Sequence, residues 1–459
     1  MDTYKMSGDG QRNIFFSGIC GISLSSLAII ASESGKRVRG SDTGCNQEAL
    51  RELGMHGIEV VPYHSADNLG DCGEFVYTAA ISADNPELLQ ARRLGIPVYS
   101  RAEYLGKLIS GYSERIGVSG THGKSTVCGM ISEIFSKCGL DCTSLIGART
   151  VSDGKAYRVG TSDTVIFEAC EYKRSFLSLD PTTAVVLNIE KDHTDCYGTV
   201  GEAVEAFGEY IKNAKRCVLS FDDKNVRQIS ENALSPFYFS LSDHEADMYA
   251  ENISESGGFY TFDGFIGGKK KFTLTLSVPG LHNVRNALAA MSAAYICGLD
   301  INMAAAALSG FCGMKRRFEY IGSCRGAKVY DDYAHHPTEI KSALRAARGM
   351  GFKEVVCAFQ PHTYSRTAAL YDEFLTAFSD ADKVVLAEIF AARETNELGI
   401  SSKALADGIP NAVYIPDFKE IERYMRSLAK PGTLLITMGA GELDSVARRL
   451  AEDSSKDDV

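Results

Sequence analysis

The chain has 459 residues, 45% of them apolar and 23% charged, with a formal net charge of −11. That length accommodates about three domains at roughly 150 residues each, and the acidic balance argues against binding nucleic acid or an anionic membrane through charge. No run of about 18 apolar residues is present to cross a bilayer, the opening "MDTYKMSGDG" lacks the apolar core of a signal peptide, and 13 scattered cysteines without a CxxC pair are expected to be the reduced thiols of a cytoplasmic protein.

Along the chain, short apolar runs alternate with helical patterns. "NIFFSGI", "RVRGSD" and "EFVYTAA" read as the first strands. A second set begins at "RIGVSG" and continues in "TVIFEAC" and "TAVVLNIE", while "FYTFDG" and "KFTLTLSVPG" read as antiparallel additions. A third set, "EVVCAFQ", "KVVLAEIF" and "TLLITMGAG", is interleaved with helices such as "PTEIKSALRAAR". This alternation predicts an α/β chain of sheets with crossover helices. Boundaries near "LISGYSE" and "MKRRFEYIGS" divide it into residues 1–111, 112–319 and 320–459. The polar tail "EDSSKDDV" is expected to be disordered.

The stretch "GVSGTHGKST" joins a strand to a helix. "RIGVSG" runs through Gly120, Thr121, His122 and Gly123 into Lys124, Ser125 and Thr126. Val127, Met130, Ile131, Ile134 and Phe135 then recur at helical spacing up to the stop at Gly139. Glycines at such a junction let several backbone N–H groups point into one space at the positive end of the helix, which makes an anion cradle. Lys124 is placed to reach terminal phosphates and the Ser125 hydroxyl to ligate the accompanying Mg²⁺. The longer phosphate-loop spacing requires glycine at 118, where this chain has Val118, so only the compact core of the motif is present.

Carboxylates and a histidine follow at strand ends, where doubly wound sheets gather their ligands. Glu168 closes "TVIFE", and Asp192, His193 and Asp195 follow "VVLNIE". A carboxylate suits Mg²⁺ better than an imidazole does. Glu168 is thus either a metal ligand or a partner of lysines, and His193 either a ligand or a loop hydrogen-bonder. Further on, Asn283 and Asn286 share one face of the helix opened by "VPGLHNVRNALAA". Two readings stand there, recognition of an adenine edge and N-terminal capping. Arg316 and Arg317 at the second boundary can meet a phosphate or sit solvated in a linker. "YDDYAHHPTEI" and "FQPHTYSRT" bring His335, His336, His362 and Arg366 to one sheet edge, where they can orient a carboxylate or phosphate. Zinc is the other reading of those histidines, but nothing completes a tetrahedral set.

Taken together, "GTHGKST", "EACEYKRSF", "NIEKDHTD", "GLHNVRNALAA", "RRFE", "DDYAHHPTEI" and "FQPHTYSRT" resemble the ordered motif set of the Mur ligase family, over almost the whole chain. The resemblance implies a three-domain Mur ligase architecture: a Rossmann-like N-terminal domain for a UDP-sugar, a central P-loop ATPase domain, and a Rossmann-like C-terminal domain for an amino acid. It implies ATP and Mg²⁺ as cofactors, UDP-N-acetylmuramate and L-alanine as small-molecule substrates, no nucleic-acid or membrane partner, and a monomer or weak homodimer. By position, Lys124 contacts the phosphates, and Ser125, Glu168 and His193 hold magnesium. Asn283 and Asn286 meet the adenine, and Arg317 lies near the phosphates. Gly18, Gly21 and Asp42 serve the UDP-sugar, and Tyr333, His335 and Arg366 face the amino acid. Lys124, His193 and Arg317 are the implied catalytic groups.

The chain departs from the family pattern in three places. Cys20, Ile22 and Ser23 stand in the first glycine loop, Cys170 replaces an acidic residue, and Thr363 replaces an arginine, leaving Arg366 alone to grip a carboxylate. The implied reaction is ATP-dependent amide formation at a lactyl carboxylate through an acyl phosphate, in peptidoglycan precursor synthesis. Its rivals are a murein-recycling ligase that adds a tripeptide, a non-catalytic nucleotide-dependent regulator, and a dinucleotide oxidoreductase. The last is disfavoured because Gly18 and Gly21 lack the third glycine of that fingerprint.

Overall fold

A computed structural model of the chain describes residues 13–193 and 195–452. The opening decapeptide and the tail after Glu452 lie outside the described residues. No helix among the described residues is long and apolar enough to cross a membrane.

The chain builds three sheets in succession. The first comprises β1 (Asn13–Ser17), α1 (Ile22–Glu33), β2 (Arg37–Ser41), α2 (Gln47–Met55), β3 (Glu59–Val61), β4 (Cys72–Tyr77), α3 (Pro86–Arg93), β5 (Val98–Ser100) and α4 (Arg101–Ile109). Its strands are all parallel, in the order β3-β2-β1-β4-β5. The centre of "NIFFS" is apolar at consecutive positions because helices cover both faces of such a sheet, and Phe15 and Phe16 are both fully buried on opposite sides.

The second sheet uses β6 (Glu114–Ser119), α5 (Lys124–Lys137), β7 (Thr143–Leu145), β8 (Tyr157–Arg158), β9 (Thr164–Glu168), β10 (Thr183–Val186), α6 (Val200–Ile211), β11 (Arg216–Ser220), α7 (Lys224–Ile229), β12 (Pro236–Ser240), β13 (Met248–Ser256), β14 (Phe259–Ile266), β15 (Lys269–Thr275), α8 (Leu281–Ile296) and α9 (Ile301–Ser309). Its order is β15-β14-β13-β12-β11-β10-β6-β9-β7-β8. β13, β14 and β15 form the antiparallel extension expected from "FYTFDG" and "KFTLTL".

The third sheet uses β16 (Glu319–Cys324), β17 (Ala327–Asp332), α10 (Pro337–Gly349), β18 (Glu354–Phe359), α11 (Tyr364–Ala369), α12 (Tyr371–Leu375), β19 (Lys383–Leu386), α13 (Ser402–Gly408), β20 (Ala412–Tyr414), α14 (Phe418–Leu428), β21 (Thr433–Met438) and α15 (Asp444–Glu452). The order is β16-β17-β21-β18-β19-β20, with only the β16–β17 hairpin antiparallel.

The two seams between these units differ in chemistry. Phe16, Leu27 and Tyr104 of the first unit share one apolar cluster with Tyr157, Phe167 and Phe176 of the second, reinforced by Arg149 on Glu52 at 2.7 Å and His56 on Tyr157 at 2.9 Å. The third unit keeps its own cores on the two faces of its sheet and meets the second through polar contacts. Thr338 donates to Glu190 at 2.7 Å, Arg366 meets Asp192 at 2.9 Å, and Lys191 donates to the Ala369 carbonyl at 3.3 Å. An interface built on ion pairs buries little apolar surface, in contrast to the apolar seam between the first two units.

The cysteines correct one expectation. Cys20 and Cys45 are joined as a disulfide, while Cys128, Cys170, Cys217 and Cys357 among others are not disulfide-bonded. Spacing could not reveal this pair, because β1 and β2 bring together positions 25 residues apart.

Candidate active site

The phosphate loop is built where β6 ends and α5 begins. Residue 118 is still inside the strand, which is why no glycine is needed there. Gly120 has φ +143°, and a Cβ on it would lie 3.0 Å from Leu187 and 3.2 Å from the Asn188 nitrogen. Gly123 is in the left-handed region at φ +88°, and a Cβ there would lie 2.8 Å from Asn286 Oδ1. It caps α5 with no side chain of its own, which leaves first-turn N–H groups for an anion. The chain after β10 pins the loop. Asn188 accepts from Thr121 N–H through its carbonyl (3.0 Å) and from His122 N–H through Oδ1 (2.7 Å), and its Nδ2 donates back to the His122 carbonyl (3.1 Å). Asn188 lies in the "VVLNIE" run but carries no sequence signal of its own, because only the fold sets it under the loop.

Lys124 is half-buried rather than exposed. Its ammonium donates to the Gly120 and Thr121 carbonyls and pairs with Glu171 at 2.9 Å. Burial alone would lower its pKa, but the facing Glu171 carboxylate overrides this and holds the lysine charged. In return, against the burial that would raise it, Lys124 keeps Glu171 below the usual carboxylate range. Glu171 also faces His193 Nε2 at 3.5 Å, so it joins two predicted residues. The signal for it was a second carboxylate three positions after Glu168 in "EACEY".

The oxygen donors of the predicted magnesium set converge. Ser125 Oγ donates to Glu168 Oε2 at 2.7 Å, and the Gly147 N–H donates to the same oxygen at 3.0 Å. A hydroxyl beside a carboxylate next to a phosphate cradle is the hard-oxygen chemistry that Mg²⁺ prefers. His193 stands on the other side of Glu171, with its own backbone at φ +50° and its ring 4.9 Å from that of Tyr172. Asp195 turns elsewhere, accepting from the Tyr172 hydroxyl at 2.8 Å.

A cavity of about 240 Å³ opens beside the loop, lined by His122, Gly123, Thr126, Asn283, Asn286 and Arg317 among others. The two asparagines are not caps. α8 is capped by Gly280 without a side-chain bond, Asn283 donates to the Pro279 carbonyl at 2.7 Å, and Asn286 donates to Asn283 Oδ1 at 3.0 Å. Their remaining amide atoms are thus available to a ligand edge. Arg317 comes 3.8 Å from Glu339, whereas Arg316 is committed to Asp331 and to the Gly439 and Gly441 carbonyls.

The third unit closes the site from above. His336 caps α10 through Nδ1, and Glu339 completes the capping box. Glu339 also meets His122 of the phosphate loop at 3.1 Å, while Glu190 lies 3.6 Å from that ring's other nitrogen. Burial opposes protonation of His122, but these two carboxylates raise it to about 9. His335 is held by the Tyr333 carbonyl at 3.0 Å, and burial lowers it to about 4. The Tyr333 ring lies 5.1 Å from each of the Arg316 and Arg317 guanidiniums. Arg366 does not stand free for a carboxylate. Its Nε and one terminal nitrogen both reach Asp192 Oδ1 at 2.9 Å, and the other lies 3.1 Å from His362 Nδ1.

Gly18, Gly21 and Asp42 form a separate constellation at the ends of β1 and β2. Gly18 has φ +80°, and a Cβ on it would lie 2.4 Å from Thr78. Gly21 caps α1, and Asp42 accepts from the Cys20 and Gly44 N–H groups at 2.9 Å each.

This succession of a glycine-loop sheet, a phosphate-loop sheet and a third sheet joined to it by polar contacts defines a nucleotide-dependent, three-domain enzyme. Family models match it in the same order: the Mur ligase family catalytic domain at residues 13–113, the Mur ligase middle domain at 118–294, and the Mur ligase glutamate ligase domain at 316–441. The chain belongs to the Mur ligase family, and it is an ATP-dependent ligase. It is 41% identical over 458 residues to the UDP-N-acetylmuramate–L-alanine ligase of Clostridium novyi, covering 98% of this chain and 99% of that one. It is also 41% identical over 451 residues to the enzyme of the same name from Acetivibrio thermocellus, covering 96% of each. Among solved structures, the UDP-N-acetylmuramate–alanine ligase of Thermotoga maritima superposes with a TM-score of 0.83 at 27% identity, covering 97% of this chain and 99% of that one. A murein peptide ligase of Psychrobacter arcticus gives 0.74 at 25% identity, covering 96% and 98%.

Proposed function

We propose that the chain joins L-alanine to the lactyl carboxylate of UDP-N-acetylmuramate at the expense of ATP, giving UDP-N-acetylmuramoyl-L-alanine, ADP and phosphate for peptidoglycan precursor synthesis. The observation that carries this reading is the meeting of the phosphate loop with the third domain. Lys124, Ser125 and Glu168 stand on one side of the site, and Arg366, held by Asp192 at 2.9 Å, stands on the other. The Thermotoga maritima structure, of an alanine ligase, superposes better than the murein peptide ligase does, and this supports L-alanine over a tripeptide.

A carboxylate is a poor electrophile toward an amine, so the γ-phosphoryl group of ATP first moves to the lactyl oxygen and makes an acyl phosphate. Asn283 and Asn286 receive the adenine, and the loop N–H groups with Lys124 receive the phosphates. When these phosphates arrive, Lys124 exchanges part of its pairing with Glu171 for the transferring group, which stabilises charge where it develops. Ser125 and Glu168, with His193 beyond Glu171, would hold Mg²⁺, which supplies further neutralisation of the phosphate oxygens. Arg317 offers a second guanidinium at the cavity wall. L-alanine attacks with a neutral amine and loses a proton as the amide forms. Arg366, Tyr333 and His335 orient the amino acid, and the polar seam of the third domain closes to exclude water from the acyl phosphate. Gly18, Gly21 and Asp42 receive the UDP moiety. ATP and a nucleotide sugar as substrates support a cytoplasmic location for this reaction.

The test is phosphate release from ATP with UDP-N-acetylmuramate, with and without each L-amino acid. Release that depends on L-alanine is expected, with slower use of glycine and L-serine, because a pocket gains only about 1–3 kcal/mol per methylene. Faster ligation of L-alanyl-γ-D-glutamyl-meso-diaminopimelate in direct competition would overturn the choice of acceptor.

A further inference from the structure

Away from the ATP cavity, two cysteines meet at the mouth of the first sheet. β1 and β2 are parallel neighbours, and their carboxyl ends lead into the Gly18–Gly21 loop and the loop from Asp42 to Asn46. Cys20 and Cys45 bridge these loops with their Cα atoms 5.3 Å apart, inside the roughly 4.4–6.8 Å that a disulfide spans. Both residues are half-buried, so small thiols and disulfides can reach them. Asp42, on the second loop, accepts from the Cys20 N–H at 2.9 Å and so ties the Cys20 backbone to that loop.

The same gap is where the proposed function seats the UDP moiety, and any effect of the disulfide on ligand binding rests on that reading. In open parallel sheets, an anionic ligand enters at the carboxyl ends of the strands and is met by the N-terminus of the next helix. α1 begins at Gly21 with no side-chain cap, directly beside Cys20. A phosphoryl group bound there needs a donor–acceptor spacing of about 2.9 Å to the glycine loop, besides its own width, before it meets the opposite wall. The bond ties the two loops together at this point, with 5.3 Å between the Cα atoms, so they cannot part to admit the ligand.

We propose that Cys20 and Cys45 are a reversible thiol-modification site for low-molecular-weight disulfides, and that the bond between them shuts the UDP-sugar pocket. One cysteine, as its thiolate, attacks a sulfur of R–S–S–R and expels RS⁻, leaving a mixed disulfide. The second thiolate attacks the protein sulfur of that mixed disulfide and expels the second RS⁻. The two protons lost by the cysteines end on the released thiols, so the balance is two protein thiols plus R–S–S–R giving the protein disulfide plus two RSH. An excess of small thiol runs the sequence backwards.

The test uses the full chain, either reduced with dithiothreitol or oxidised with bis(2-hydroxyethyl) disulfide, with the Cys20–Cys45 link mapped by mass spectrometry. UDP-N-acetylmuramate binding is then measured by calorimetry, without turnover, and ATP binding is measured alongside as a check on the fold. The oxidised form is expected to bind the UDP-sugar at least tenfold more weakly than the reduced form, with ATP affinity unchanged. The double variant Cys20→Ser with Cys45→Ser can form neither the link nor a mixed disulfide at this place and should bind as the reduced form does under both treatments, and Cys20→Ala with Cys45→Ala serves as a second variant. Equal UDP-sugar affinity in the linked and reduced forms would overturn this proposal alone. Absence of binding in both forms, with ATP still bound, would remove the UDP-sugar reading and this proposal with it.

Discussion

Replacing Lys124 with alanine should cost the enzyme both activity and stability. The side chain is only 12% exposed and that of its partner Glu171 only 4%. Removing one member of such a pair strands a buried charge, at about 3–5 kcal/mol. For a domain of this size, roughly 2–4 °C accompanies each kcal/mol, so the central domain should melt about 6–20 °C lower. Ligase turnover should fall by about two orders of magnitude or more, because the loop loses its fixed cation. The two effects separate in the double variant. Adding Glu171→Gln to Lys124→Ala removes the stranded charge and should recover much of the melting temperature, but none of the turnover. Differential scanning calorimetry of the wild type, both single variants and the double variant, with phosphate release on each, makes the comparison. If the melting losses of the two single variants simply added in the double, the residues would not be coupled and the buried pair would not be what holds the loop. Near wild-type turnover of Lys124→Ala would refute the phosphate-loop assignment itself.

Glu168→Gln keeps the shape but removes the charge that Ser125 faces, so half-saturation by Mg²⁺ should rise; His193→Ala should move it the same way but less, and unchanged titrations for both would remove them as ligands. Arg366→Ala should raise the KM for L-alanine by about 10- to 100-fold, the worth of a charge-assisted hydrogen bond. Asp192→Asn, which loosens only the seam, should raise it less, and equal effects would show that Arg366 acts through domain docking alone. His122 sets a pH dependence. Its pKa in the fold, about 9, lies above the roughly 6.5 of an unfolded histidine, so its contribution is complete below about pH 6.5 and is lost as pH rises through 9. His122→Gln should flatten the loss of thermal stability across that window, and an unchanged slope would refute the pairing with Glu339 and Glu190. Gly123→Ala should abolish ATP binding in a filter assay, since its Cβ would be strained at φ +88° and would meet Asn286.

Much of this protein was legible before folding, because its chemistry is local in the chain. A phosphate cradle needs a strand, glycines and a helix start in immediate succession, so "GVSGTHGKST" announces it. Strands buried on both faces carry apolar residues at consecutive positions, so "NIFFS", "TAVV" and "TLLITM" mark the sheets. What stayed hidden are pairings between positions far apart in sequence. Lys124 reads as an exposed loop lysine until β9 brings Glu171 against it, and Arg366 reads as a free anion grip until the third domain sets it on Asp192, 174 positions away. Asn188 and Glu339 carry no signal of their own, because an amide or a carboxylate in a loop looks solvated unless the opposing surface is known. The cysteines show the same limit: their spacing suggests free thiols, yet two adjacent parallel strands bring Cys20 to Cys45. Sequence periodicity determined the elements, the local motif determined the phosphate loop, and the resemblance of the ordered motifs implied the succession of domains. Only the tertiary structure decided which charges face one another, since electrostatic pairing depends on distance in space and burial, neither of which is written in the spacing along the chain.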